Sequence, residues 1–300
     1  MLPVVILEFP SNLGLKEPSP GHEPGVKKLP DWLRLCGFHA QIDAKEIYRT
    51  VPPPYSMTLD ELSGVRNADA IVAYAKEQAV LLKRVIKAGS FPLVLGGDCS
   101  ILIGNAVALK ELGNYGVFYL DGHHDFMWPS LSETGGAAGM DTAIVTGHGH
   151  RKLTDIEGLQ PYFKEEQVWC AGNREYDEDY VAAISNSKIH YTDLNDLRKQ
   201  GITKCVNDFL EMVTATNLDG FWIHLDVDVL DDAIMPAVDS RTEGGISYDE
   251  LEQILQPLLS SPKATGIEIT ILDPELDEDG KYTRQFVERF CGLFNRARGM

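Results

Sequence analysis

Short apolar runs that do not alternate, separated by longer amphipathic stretches, constrain this chain more than any other feature. Val4–Leu7, Pro92–Leu95, Gly116–Leu120, Gln167–Ala171, Phe221–Leu225 and Thr265–Ile271 are mostly β-branched, aliphatic or aromatic. A strand with one wet face alternates, whereas a strand covered on both faces does not. Helical patterns lie between them. Ala68–Lys87 sets Ile71, Ala75, Ala79, Leu82 and Ile86 on one stripe and stops at Gly89. Ser247–Leu259 opens on a Ser247/Glu250 capping box, and Thr283–Arg296 closes the chain as a helix. Strand–helix alternation predicts a parallel sheet covered by helices on both faces. Pro10–Pro30, Val51–Tyr55 and Phe126–Arg151 read as loops, and loops this long in a compact domain are usually functional. No repeat or low-complexity linker interrupts residues 1–300, so a single α/β domain is expected.

In a parallel α/β sheet the site forms beyond the C-terminal ends of the strands. Three runs end in residues that bind metals. Gly96-Gly97-Asp98-Cys99-Ser100 follows the second run, Asp121-Gly122-His123-His124-Asp125 the third, and Asp226-Val227-Asp228 the fifth. A D-x-D alone is unremarkable among 45 acidic residues, and aspartates after strands commonly cap helices. D-G-H-H-D and D-V-D at matching strand ends are another matter. They bring Asp121, Asp125, Asp226 and Asp228 into one cleft, where four carboxylates cannot all ionise without a cation. Carboxylate and imidazole together suit Mn²⁺, Fe²⁺ or Zn²⁺, with Ni²⁺ a further candidate, better than Ca²⁺.

Charge and composition exclude other classes. Twenty-seven basic against 45 acidic residues leave a net charge of −18, which repels a phosphate backbone, so no nucleic-acid partner is expected. No apolar run approaches the roughly 18–20 residues that span a bilayer. Met1–Phe9 lacks a basic flank and reads as a strand, not a signal peptide. Five scattered cysteines without a C-x-x-C fit a reduced, cytoplasmic protein. No G-x-G-x-x-G follows a strand, which leaves a dinucleotide-dependent oxidoreductase without support.

G-G-D-C-S, D-G-H-H-D and H-L-D-V-D-V-L-D resemble the arginase/agmatinase (ureohydrolase) family, which carries G-G-D-H-S, D-A-H-x-D and S-x-D-x-D-x-x-D-P in this order. Pro24–Gly37, Glu243–Ser247 and Gly266–Pro274 also resemble family segments, so the likeness spans nearly the whole chain. It implies a three-layer α/β/α fold with an eight-stranded, mostly parallel sheet and a two-manganese site that activates water for attack on a guanidinium carbon. It also implies a homo-oligomer, trimer or hexamer. By resemblance Asp121 and Asp226 bridge two ions, His123 and Asp228 complete one sphere, and Asp125 belongs to the other. The histidine of that second sphere is replaced by Cys99, a softer ligand that disfavours Mn²⁺. One or two ions are therefore expected.

Departures are sharper on the substrate side. The family's proton-shuttling histidine falls at Ala138 and its guanidinium-holding glutamate at Ile271. Met127 stands at a polar family position, while Thr134 is a conservative replacement. Asp177 in Gly172–Asp177 is placed to meet a substrate amino group. Trp128 could roof the site by stacking. His148, with His150 beside it, could replace the lost shuttle, and Asp125 would share the catalytic work. His124 is expected to pack beside the site, and His224 to support it without ligating. The expected function is metal-dependent hydrolysis of a non-peptide C–N bond in a guanidino or hydroxyguanidino small molecule other than arginine or agmatine. The alternative is an inactive, metal-binding or regulatory family member.

Overall fold

The computed structural model describes residues 2–299. Eight strands form one sheet: β1 Val4–Glu8, β2 Ala44–Arg49, β3 Phe91–Leu95, β4 Tyr115–Leu120, β5 Val168–Ala171, β6 His190–Thr192, β7 Gly220–Asp226 and β8 Ala264–Thr270. Their order is β2-β1-β3-β8-β7-β4-β5-β6. Every pairing is parallel, so the expected mostly parallel sheet is wholly so.

Burial explains the unalternating runs. On one face Ile6, Leu93, Phe118, Ile223 and Ile267 pack against Phe209, Leu255 and Phe290 of helices Ile202–Ala215, Tyr248–Ser260 and Lys281–Arg298. On the other, Val5, Val94, Val117 and Tyr119 meet Ala75, Leu82 and Val107 of helices Ala68–Lys87 and Ile101–Leu112. Each fully covered side chain contributes about 1.5–3 kcal/mol, which only a sheet apolar on both faces can collect. The Ser247/Glu250 capping box forms as its spacing predicts.

The sequence pattern missed the strands β2 and β6. They are the sheet's edges, and their residues are largely exposed or half-buried, so no apolar run marks them. Two long loops hold more structure than expected. Helical turns occupy Gly25–Lys28 and Leu29–Leu35, and Asp141–Val145 is a short helix. The last strand stops at Thr270, because Ile271 turns away with φ +72°.

Candidate metal centre

The neighbouring strands β3, β8, β7 and β4 end side by side, so the loops after them converge. Gly97, after β3, packs directly on the first loop: a Cβ there would lie 1.8 Å from the Ser11 carbonyl oxygen. Asp98 ties the same loops, accepting from Ser11 Oγ at 2.7 Å.

Two tight turns aim the acids. Asp121 Oδ1 accepts the His123 N–H at 2.6 Å, and Asp226 Oδ1 accepts the Asp228 N–H at 2.8 Å. Each carboxylate is thus held by one oxygen and presents the other. Asp121 Oδ2 is buried with no partner, and Asp226 Oδ2 receives the Cys99 thiol at 2.8 Å. His123 Nδ1 lies 2.9 Å from Asp228 Oδ2 and 3.6 Å from Asp121 Oδ1. Gly122 is required between them. Its N–H reaches Asp228 Oδ1 at 3.0 Å, and a Cβ would stand 2.3 Å from Arg174 Nη1. Arg174, buried, donates to the Asp228 and Thr242 carbonyls at 2.6 and 2.9 Å and clamps the turn.

Three groups of potential ligand atoms result, each with its atoms within 4.8 Å of one another: Asp121/His123/Asp228, Cys99/Asp121/His224/Asp226 and Cys99/Asp125/Asp141. Asp125 thus groups with Cys99 and Asp141, apart from Asp121, His123 and Asp228. Tyr119 Oη lies 2.7 Å from Asp125 Oδ2 and 3.0 Å from Asp141 Oδ1, and Asp125 takes φ +47°. Burial first, then neighbouring acids, hold the carboxyls of Asp125, Asp141 and Asp226 well above the ordinary range, and Asp228 is raised too. Burial pushes Asp121 the same way, but His123 and His224 outweigh it and keep that carboxyl low. The Cys99 thiol is raised by burial and by Asp226. Acids crowded out of water with unpartnered oxygens fit a divalent cation, whose charge would offset their repulsion.

The remaining predicted residues sit outside these groups. His148 Nε2 bonds Glu165 at 2.6 Å, while its ring packs on Phe126 and Trp128 with centroids 4.9 and 6.0 Å away. Trp128 is half-buried and Thr134 exposed, its hydroxyl accepting from the Gly136 N–H at 3.1 Å. Asp177 is exposed and caps the Glu178–Ser185 helix through one oxygen. His124 packs beside the site as expected. Its ring stacks on Tyr180 at 3.8 Å, and burial lowers its pKa to about 4, so it is neutral. Ala138 and Ile271 are both buried and bring no charge.

Several residues were missed. Strand periodicity could have flagged Tyr119, which shares a face with Asp121. Asp141 gave no signal beyond that of an acid at a helix start. Asp239 is exposed to solvent on one side, yet loss of surrounding water and then the Asp228 charge raise its pKa.

The arginase family model matches residues 6–292. Arginase from Bacillus subtilis is 33% identical over 233 residues, 77% of this chain and 78% of that protein. Arginase from Brevibacillus brevis is 30% identical over 279 residues, 90% of this chain and 92% of that one. The crystal structure of arginase from Bacillus caldovelox superposes with a TM-score of 0.87 at 28% identity, covering 98% of both chains. With its strand-end acids and parallel sheet, the chain belongs to the arginase family and is a metallohydrolase of the ureohydrolase type.

Proposed function

We propose that this protein hydrolyses a C–N bond in a small guanidino-type compound whose reacting group is less basic than the guanidinium of arginine. A hydroxyguanidine is the simplest such group, since its oxygen withdraws charge. One juxtaposition carries this proposal. Asp121, His123 and Asp228 stand together, yet β8 leads into the buried, apolar Ile271, whose N–H bonds the Gly97 carbonyl at 2.7 Å beside Cys99. An unpaired guanidinium against Ile271 would cost several kcal/mol.

Asp121, His123, Asp226 and Asp228 would hold manganese, and Cys99 and Asp125 a second ion. A bound ion supplies Lewis acidity and activates water near neutral pH. Asp125, held by Tyr119, would take up a proton, and His148, oriented by Glu165, would pass one to solvent. Trp128 and Thr134 would line the loop over the site. Asp177 keeps one oxygen free for a substrate amino group.

Asp239 adds an acid on the substrate side. It lines a cleft of about 490 Å³ together with Asp273 and Lys16, a volume suited to a small molecule. A cationic substituent remote from the reacting carbon would pair with Asp239. No helix among the described residues is long and apolar enough to cross a membrane. A cytoplasmic homo-oligomer completes the proposal.

The test is urea and hydroxyurea release from guanidino, hydroxyguanidino and ureido compounds by manganese-loaded protein. Asp239→Asn should raise KM by about 10²-fold while changing kcat only a few-fold, as expected when a charged partner is removed without touching the reacting atoms. Absence of release from every compound by metal-loaded protein would favour a binding or regulatory role. Equal KM values for Asp239→Asn and the unmodified protein would remove Asp239 from substrate recognition.

A further inference from the structure

A histidine lost from one strand end has a counterpart one layer deeper in the sheet. Parallel register aligns Tyr119 of β4, His224 of β7 and Glu268 of β8 in a row. All three side chains are fully buried. His224 Nδ1 lies 2.6 Å from Glu268 Oε1, and Asn105 Nδ2 donates to the other Glu268 oxygen. The Tyr119 ring lies parallel to the imidazole, centroids 4.2 Å apart, and prevents it from turning. Glu268 holds Nδ1 and so points Nε2 at Asp121; an ion bound there takes the Nε2 lone pair and displaces any proton on it.

That Nε2 has no hydrogen-bond partner, and neither has Asp121 Oδ2, 3.8 Å away. The gap is too long for a hydrogen bond. It suits two ligands of one ion, each about 2.0–2.2 Å from the metal. Cys99 Sγ and Asp226 complete a group of four atoms within 4.8 Å of one another, all on fully buried side chains. Asp125 lies in a separate group with Cys99 and Asp141 and accepts from Tyr119.

We propose that His224 supplies the imidazole that position 99 has lost, so that Cys99, Asp121, His224 and Asp226 form a second metal position in place of the family's. The proposal rests on the metal-centre reading above and, at its second position, replaces Asp125 with a ligand from within the sheet. A thiolate, an imidazole and two carboxylates in a four-ligand set favour Zn²⁺, Fe²⁺ or Co²⁺ over Mn²⁺. Binding releases the Cys99 proton to solvent as the sulfur–metal bond forms. Glu268 acts as a positioning residue through the imidazole.

Cobalt titration of metal-stripped protein tests this, since cobalt thiolate absorbs in the near ultraviolet. The unmodified protein should take up about two Co²⁺ per chain, one of them with a thiolate band and four-coordinate visible absorption. His224→Phe should keep about one ion and lose the thiolate band, while Glu268→Gln should weaken the second ion about 10–100-fold. X-ray absorption at the cobalt edge of the unmodified two-ion form keeps the test independent of folding of either variant. It should find one sulfur and two imidazoles across the two ions, from Cys99, His123 and His224. A single imidazole, or a thiolate band unchanged in His224→Phe but lost in Asp141→Asn, would overturn the His224 assignment and leave the first metal position standing. Failure of any ion to bind would overturn the metal reading itself.

Discussion

Asp226→Asn should lower turnover by about 10³-fold or more and strip tightly bound metal, yet raise the melting temperature of the metal-free protein. The carboxylate belongs to the Cys99/Asp121/His224/Asp226 group, but without an ion it is a buried acid among acids. Its folded pKa is raised, by burial first and then by Asp228 and Asp121. A raised carboxyl keeps its proton in the folded state where the unfolded chain has released it, so stability falls as pH rises above about 4. Asparagine removes that penalty. The gain should therefore be small at pH 5 and several degrees at pH 8. Melting curves of stripped protein at the two pH values, with metal content and turnover on loaded protein, check the three parts together. A lower melting temperature in Asp226→Asn at pH 8 would mean that the acids do not strain the empty site.

Ile271→Glu should shift substrate preference towards arginine by about 10²-fold in kcat/KM relative to a hydroxyguanidino analogue. A buried carboxylate opposite a guanidinium is worth about 2–5 kcal/mol, and a ratio of two substrates on one protein cancels differences in metal occupancy. The substitution also removes a β-branched side chain from φ +72°, a conformation that costs such residues on the order of 1–3 kcal/mol. Steady-state kinetics on both substrates decide it. Arginine turnover by the unmodified protein at the rate of its best substrate would show that another acid, with Asp239 the first candidate, already does this work.

How much of this was legible beforehand follows from where each residue gets its partners. The central strands announce themselves because both faces are buried, and the acids at their ends because the turns D-x-H and D-x-D are local. Cys99 and Ile271 could be noticed as departures because the surrounding motifs fix their positions. The edge strands escaped because edges are polar. His224 was read as support for the site because its one-residue offset from Leu225 and two-residue offset from Asp226 say only which face it shares. Its alignment with Tyr119 and Glu268 depends on the order in which β4, β7 and β8 pair, which no local pattern encodes. Asp141 and Asp125 meet through Tyr119, a contact across 22 residues and a long loop. Arg174 clamps Asp228 across 54.

The central claim is that Asp121, His123, Asp226 and Asp228 together hold a catalytic ion. Its most direct test is an anomalous difference map, at the manganese edge, from crystals of the manganese-loaded protein. The account predicts that the strongest peak lies about 2.0–2.3 Å from His123 Nδ1 and from oxygens of Asp121, Asp226 and Asp228. A strongest peak elsewhere in the molecule, with these four side chains free of any ion, would contradict it.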